Sequence, residues 1–471
     1  MTPTSVAFAV LVLAALLLHW LGPRRSGWQN SVLLGASAIF YWTWSPAWLP
    51  VLALSTLVDF WASQKIGDAS ADPRLRRAAL WVALGGNLGV LLWFKYAGFL
   101  LDSGSLLLPI GLSYYTLIRV GYLLDLRYGR VAVERSLLNF AAFVWFFPQM
   151  VAGPITRARA MLPQFASARS WRDVNLGAAA GALLLGWTLK AYVADWIGPA
   201  IVDPVFAASR AFGAAAHWLA LVGYALQVFG DFAGYSLLAI GVAALFGMSL
   251  PVNFDRPFLS RSMPEFWRRW HISLNTWLFD YVFGPLTTGG GALHGRIAVN
   301  LVLIFVISGL WHGAQSTFVL WGLLHGLALA AHHGWDLWYR AQCRRDRRFV
   351  TARKSTAYAV AAWVLTQGWF LGSLLLFRSN DLASAGQYLG ALFVAEGNAS
   401  LPLDSMALAS LLAVVAIVGW HHAEGLNLGA KLRARIDALP APVIGALLGL
   451  GLAWLLIFAP LARTSFIYAQ F

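Results

Sequence analysis

Apolar residues in this chain come in long runs, not in the one-sided stripe or strict alternation of a soluble fold. Residues 5–21 form the first run, followed by Arg24 and Arg25. That length suits one helical crossing of a bilayer, which takes about 20 residues. Residues 31–61 are too many for one untilted pass. Tyr41-Trp-Thr-Trp-Ser-Pro46 interrupts them with aromatics and a proline suited to a membrane interface, so two short passes are predicted. A basic stretch at 65–77 precedes passes over 80–101 and 106–124, with a turn at Asp102-Ser-Gly104 between them. Further crossings are predicted over 176–194, 218–246, 357–377, 406–420 and 443–461. An external loop over 378–404 would carry Asp381, Glu396 and Asp404, and 431–435 is again basic. Basic loops face the cytoplasm in such proteins, which predicts an external N-terminus.

Two elements do not read as simple crossings. Residues 137–151 are short and flanked by Arg127, Arg130 and Arg135 on one side and Arg157, Arg159, Arg169 and Arg172 on the other. Such a segment enters and leaves on one face. Residues 297–310 and 317–331 read as a second in-and-out hairpin, with Arg296 before it and the cluster 340–354 after it. Trp311-His312-Gly313 would sit at its turn. Residues 255–271 are basic, proline-punctuated and amphipathic, and are expected to lie along the cytoplasmic interface. Irregular backbone at membrane depth survives only where protein or a water-filled cavity covers it. The pattern therefore predicts an all-α polytopic membrane protein, a ring of about eleven or more helical segments with re-entrant elements around a central cavity. No repeat or soluble unit interrupts it, so residues 1–471 read as one domain.

Composition agrees. Charged residues make up 11% of the chain, against about 25% in soluble proteins. The runs are also too long for the short alternating segments of an outer-membrane barrel. The net charge of +14 falls in clusters between apolar runs, which fits membrane topology and argues against nucleic-acid binding. The single cysteine, Cys343, excludes an internal disulfide; in the Arg-rich loop Arg340-Ala-Gln-Cys-Arg-Arg-Asp-Arg-Arg348 it reads as a reduced cytosolic thiol. Met1-Thr-Pro-Thr-Ser5 has no basic n-region and no small-residue cleavage site is obvious after the first run, so it reads as an uncleaved helix.

Two histidines stand out. His271 lies in Pro264-Glu-Phe-Trp-Arg-Arg-Trp-His-Ile-Ser273, and His312 in Ser308-Gly-Leu-Trp-His-Gly-Ala314. An ionisable group within a membrane is costly and marks a functional site by default, and imidazole can exchange a proton near neutrality. Helical spacing puts Trp267, His271 and Leu274 on one face with Trp270 and Trp277 nearby. Arg268 and Arg269 then point elsewhere, toward lipid phosphates or an anionic ligand. The plainer alternative is an interfacial belt of tryptophan and arginine. Around His312, Gly309 and Gly313 permit close backbone approach or a helix break, which would open room for a substrate. His325 reads as a packing or hydrogen-bonding residue. The histidines lack zinc-site spacing and HExxH is absent, so no metal is expected. No G-x-S-x-G elbow or P-loop occurs.

Seven blocks carry a family resemblance: Leu108-Pro-Ile-Gly-Leu-Ser-Tyr-Tyr115, Phe146-Phe-Pro-Gln-Met-Val-Ala-Gly-Pro154, Asp231-Phe-Ala-Gly-Tyr-Ser236, Pro251-Val-Asn-Phe-Asp-Arg-Pro257, residues 267–281, Leu310-Trp-His-Gly313 and the terminal Phe-Ile-Tyr-Ala-Gln-Phe471. In this order they resemble the membrane-bound O-acyltransferases, nearest the bacterial branch of the alginate O-acetylation and teichoic-acid D-alanylation membrane subunits. The resemblance implies that His312 is the principal catalytic histidine and His271 the second functional one. They would lie between a cytoplasmic donor entrance and an external acceptor funnel. Trp267, Arg268, Arg269, Trp270, Asn275, Asp280, Tyr281 and Trp311 are then candidate substrate contacts, with Arg268 and Arg269 placed for a donor phosphate or for lipid headgroups.

Two departures bear on the acyl group. Leu237 stands where the acetylation branch has Asp, and Gly284-Pro-Leu-Thr-Thr-Gly-Gly290 replaces its Pro-Leu-Gly-Gly-Asn-Arg. Gly-Tyr-Ser-Leu237 and Asn-Phe-Asp-Arg-Pro-Phe258 look like the D-alanylation branch, whereas Phe147–Pro154 looks like the acetylation branch. The expectation is a bacterial inner-membrane enzyme with no resident cofactor. It would move acetyl from acetyl-CoA or a phosphopantetheine acyl thioester to an envelope or exported polysaccharide, aided by an extracytoplasmic acyltransferase- or esterase-like partner. The alternatives are D-alanyl transfer from a carrier protein, a secondary transporter or flippase, and a structural scaffold. No inverted repeat is visible, and Asp59, Asp125, Asp195 and Asp231 are expected near helix ends or interfaces, which argues against ion-coupled transport.

Overall fold

Polar or small residues stop several of the helices, such as Gly22, Ser45 and Gly67. The structure is a computed structural model and describes residues 2–100, 109–394, 397, 399, 435 and 439–457. The 102–104 turn, the 406–420 crossing, the basic residues 431–434, Glu396, Asp404 and the terminal block lie outside the described residues.

Helix α1 (Val6–Leu21) opens on Ser5, whose hydroxyl accepts from the Phe8 amide, and closes at Gly22. The interrupted run becomes α2 (Ser26–Trp44) and α3 (Leu49–Ile66), separated at Ser45-Pro46 as proline chemistry requires. Helices α4 (Pro73–Leu100) and α5 (Leu112–Arg127) follow, α5 starting from Gly111 at φ 72°. That left-handed residue lies against the Met150 carbonyl, where a side chain would collide.

The short run divides at Phe146 into α6 (Leu137–Trp145) and α7 (Phe147–Met150). Nine residues of helix reach only about 13 Å, well short of a bilayer core. Helix α7 is wholly buried and α6 is buried over Ala142–Trp145, so the backbone at the break is covered by protein. After α8 (Ala158–Ala166), α9 (Leu176–Trp187) continues through wide π-turns at Thr188–Ala194 and Gly198–Val202, and α10 (Ala214–Leu245) returns against it.

The block expected as one amphipathic helix is broken. Helix α11 (Met263–Arg269) and α12 (Ile272–Leu278) are separated by His271, which has φ 44° and ψ 50°. Then comes the second hairpin, α13 (Ile297–His312) and α14 (Ser316–Arg345), with its turn at residues 313–315 as predicted. Gly309 lies against the Phe318 carbonyl and Gly322 against the Phe305 carbonyl, so the two backbones nearly touch.

Three calls need correction here. Helix α14 runs on through Arg345, so Cys343 sits on its last turns and not in a loop. Ala, Gln and Arg favour helix, and the Asp336–Arg340 pair at 2.6 Å supports one extra turn; Asp346 ends it by capping α15 (Arg347–Lys354). After α16 (Thr356–Arg378), the predicted external loop contains a helix, α17 (Leu382–Val394). The last described element is α18 (Ala441–Ile457). Finally, Asp59 and Asp231 are not at helix ends. Asp59 lies mid-α3, 3.4 Å from Arg119 and bonded to Asn87, and Asp231 lies mid-α10, 2.7 Å from Lys190. Each is tolerated at depth because it is paired.

The described residues form helices and no strands. Among them, residues 73–97, 176–207, 214–245 and 356–378 are long and apolar enough to cross a membrane. Large apolar side chains such as Val10, Leu17, Trp81, Trp93 and Leu365 face outward, while Arg119, Asp59, His271 and His312 are buried. That inverted distribution is what a lipid solvent produces. Inside, two large apolar clusters form, one on α1–α8 with parts of α10 and α12, the other on α9–α11, α13, α14, α16 and α17, beside a small third of Trp187, Ala191 and Leu238. The two large clusters meet along α10 and residues 266–282, and both histidines lie at that seam.

Candidate functional site

His271 is placed by an unusual local backbone. A histidine with positive φ costs of order 1–3 kcal/mol and persists only where neighbours over-determine it. Here the neighbour is the 251–255 segment. The Ile272 amide donates to the Asn253 carbonyl at 2.9 Å, and the Asp255 amide to the Arg269 carbonyl at 2.9 Å. The Asn253 side-chain oxygen accepts from the Ser273 amide at 3.1 Å, the Ser273 hydroxyl at 2.8 Å and His271 Nδ1 at 3.3 Å. An amide oxygen only accepts, so Nδ1 carries the proton and Nε2 keeps its lone pair. Nε2 is buried and has no hydrogen-bond partner among the described residues. The ring is held edge-on by Phe232 at 4.5 Å.

His312 is the last residue of α13, 4% exposed, and walled by Trp311, Trp321 and Phe377 at 4.9, 5.2 and 5.0 Å between ring centres. The sequence predicts that the neighbouring glycines open room for a substrate, and they do not. Gly309 is filled by the Phe318 backbone, and a side chain at Gly313 would strike the Phe318 ring. The room lies on the other side. His271 and His312 both line a cavity of about 20 Å³, together with Trp267, Trp270, Leu274, Ser308 and Trp321. That space suits one water molecule, not an acyl group. The indole N–H groups of Trp267 and Trp321 are buried without acceptors among the described residues. Such orphan donors call for an explanation, and a ligand oxygen supplies one.

Two larger spaces border the histidine cavity. A vestibule of about 780 Å³ is lined by Arg261, Arg268, Asn275, His332, Asp336 and Arg353 among others, and Trp267 separates it from the histidines. An apolar groove of about 920 Å³ runs along α4 and α5; Leu274 lines both it and the histidine cavity. Helical periodicity gave the right companions for His271 by the wrong route: Trp267, Trp270 and Leu274 do line its cavity, but through the kink.

The remaining candidates separate. Arg268 lines the vestibule and has no ion-pair partner among the described residues, whereas Arg269 is held by Glu265 at 3.1 Å and Asp255 at 3.9 Å. Asn275 lines the vestibule and donates to the Trp267 carbonyl at 2.8 Å. Asp280 and Tyr281 line neither the vestibule nor the histidine cavity: Arg157 pairs with Asp280 at 2.9 Å and lies 4.6 Å over the Tyr281 ring. Trp311 borders the apolar groove, 6.1 Å from His271 between ring centres. His325 is a hydrogen-bonding residue, as read from sequence, 2.9 Å from Ser373 Oγ. That hydroxyl donates to the Phe370 carbonyl, so His325 Nε2 donates to it. No group of three His, Cys, Asp or Glu side chains among the described residues could hold a metal.

Sequence reasoning missed Asn253, quoted only as part of a block, and Lys95 and Tyr96 of α4, which reach the end of α13. A signal for Lys95 existed: it is a lone ammonium in an apolar run.

The geometry can be set beside known proteins. Residues 113–375 match the model of the membrane-bound O-acyltransferase family, a stretch that contains both histidines and the vestibule. The chain is 34% identical to a probable alginate O-acetylase of Azotobacter vinelandii over 93% of this chain and 89% of that one. This chain belongs to the membrane-bound O-acyltransferase family. A peptidoglycan O-acetyltransferase of Helicobacter pylori is 31% identical over 75% of this chain and 71% of its own. A teichoic acid D-alanyltransferase of Streptococcus thermophilus is 32% identical over 52% and 61%. Membership makes the chain an acyltransferase in a membrane, not the transporter or scaffold that the cavity alone allowed.

Proposed function

We propose that this acyltransferase moves an acetyl group from a thioester donor, acetyl-CoA or a phosphopantetheine carrier, to hydroxyls of an envelope or exported polysaccharide. His312 is the catalytic histidine. The observation that carries this reading is the sharing of one buried cavity by His271 and His312, with Trp267 lining both that cavity and an Arg-lined vestibule. In the reaction an acceptor hydroxyl oxygen attacks the thioester carbonyl. His312 removes the hydroxyl proton as general base, and the thiolate leaves and takes up a proton. The indole N–H groups of Trp267 and Trp321 are suited to the developing oxyanion. His271, fixed with Nδ1 protonated, offers Nε2 to orient a donor or acceptor hydrogen. Arg268 is placed for a donor phosphate. The donor is a substrate, and no resident cofactor is required.

The vestibule side faces the cytoplasm in this account, with the protein in the inner membrane, its N-terminus outside, and residues 1–471 acting as one unit. An extracytoplasmic esterase-like partner would complete delivery to the polymer. The relatives' names support acetyl over D-alanyl, since the two acetylating relatives align over most of the chain and the D-alanyl one over about half. Leu237 is the observation that keeps D-alanine as the second reading. Membranes containing the full chain, supplied with radiolabelled acetyl-CoA and envelope polymer, should form alkali-labile acetyl esters. Absence of acetyl ester with D-alanyl ester present in the cells would select the second reading.

A further inference from the structure

Helix α13 ends at His312 inside the protein, and a helix end leaves its last four carbonyls without intrahelical partners. Gly309 and His312 are buried, Trp311 is half-buried and Leu310 is exposed on the apolar outer surface, where lipid offers no hydrogen bond, so each carbonyl needs a partner. The accounting closes. The Gly313 amide donates to the Gly309 carbonyl at 3.3 Å. Tyr96 OH donates to the Leu310 carbonyl, and Lys95 Nζ to the Trp311 carbonyl. Lys95 Nζ also reaches the His312 carbonyl at 3.4 Å and lies 5.3 Å from the centre of the Trp311 ring. All three remaining carbonyls are thus met by two adjacent side chains of α4, more than 200 residues away in sequence.

The identity of the cap matters. An ammonium deep in a membrane protein is costly, and no carboxylate pairs with Lys95 among the described residues. Its compensation is the carbonyl end of α13, where the helix dipole favours a cation. We infer that Lys95 and Tyr96 are positioning residues: they clamp the C-terminal turn of α13 and so fix where His312 presents its imidazole to the shared cavity. Without the clamp, the turn has three orphan carbonyls next to an extended glycine, and His312 loses its fixed backbone. Neither residue lines the histidine cavity; both border the apolar groove along α4, and their hydrogen bonds go to the backbone of the α13 turn. The inference rests on the catalytic reading of His312.

The test compares full-length wild type with Lys95→Met, Lys95→Arg, Tyr96→Phe and His312→Ala at matched membrane abundance. Ester formation with acetyl-CoA as probe donor is read as kcat and KM, and hydrogen–deuterium exchange is read over residues 309–316. Lys95→Met should lower kcat by about 10- to 100-fold with KM unchanged, as expected for a misplaced catalytic group. Lys95→Arg should recover most of that loss, because a cation again reaches the carbonyls. Exchange should quicken in Lys95→Met and, less so, in Tyr96→Phe. If Lys95→Met does not accumulate, Tyr96→Phe decides, since it removes one hydroxyl and keeps the ring: a lowered kcat with faster exchange supports the clamp. Wild-type kcat and exchange in the Lys95 and Tyr96 variants, beside an inactive His312→Ala, would overturn it. An active His312→Ala would instead overturn the catalytic reading, leaving the clamp to be decided by exchange.

Discussion

Replacing Asn253 by Ala removes the side-chain oxygen that, beside two backbone hydrogen bonds, holds the kink at His271. That oxygen accepts from the Ser273 amide, the Ser273 hydroxyl and His271 Nδ1. A net hydrogen bond contributes about 1 kcal/mol, and a buried donor left unpaired costs about 1–3 kcal/mol. Relaxation of the left-handed backbone returns part of this, so a loss of about 2–4 kcal/mol in stability is expected. Activity should fall further than stability. Freed from Asn253, the His271 ring can change tautomer or turn, and loss of such an orienting partner costs about 10- to 100-fold. Asn253→Asp keeps an acceptor oxygen and should be milder, although it loses the bond donated to Ser236. The assay is ester formation per folded molecule, with folding followed by thermal unfolding in detergent. An Asn253→Ala protein with wild-type activity and thermal midpoint would refute the claim that this oxygen sets the site.

Three further outcomes follow from the packing. Trp267→Ala should join the vestibule to the histidine cavity and raise uncoupled hydrolysis of the thioester relative to transfer; an unchanged hydrolysis-to-transfer ratio would count against Trp267 as the dividing wall. Gly322→Val pushes a branched side chain into the Phe305 carbonyl and should spread α13 from α14, giving low membrane abundance in a fluorescence-tagged chain, while Gly334→Ala, which meets nothing, should accumulate normally. Lys190→Met leaves Asp195 and Asp231 together without their shared cation and should destabilise by about 3–5 kcal/mol, seen as a lowered unfolding midpoint.

Charge placement made the membrane architecture readable from sequence. Basic flanks marked off the short broken element at 137–150 and the α13–α14 hairpin, because Arg296 and the 340–354 cluster bound the pair of apolar runs. Both histidines were legible as costly groups in apolar surroundings. What sequence could not show is long-range. The break at His271 depends on Asn253, eighteen positions earlier, and period-3.6 reasoning has no way to see it. The length of α14 was misjudged because arginine-rich sequence reads as loop, although arginine is a good helix former. Asp59 and Asp231 were placed at helix ends since unpaired charges belong there; their partners Arg119 and Lys190 lie on other helices. Asp280 and Tyr281 share a block with His271, but Arg157 draws them to a different cluster.

The most direct measurement is the envelope ester content of cells expressing wild type, His312→Ala or His271→Ala, by mass spectrometry at matched membrane abundance. The account predicts loss of one ester species, acetyl by mass, in His312→Ala, with a strong reduction in His271→Ala. Unchanged esters in every envelope fraction of the His312→Ala cells would contradict it.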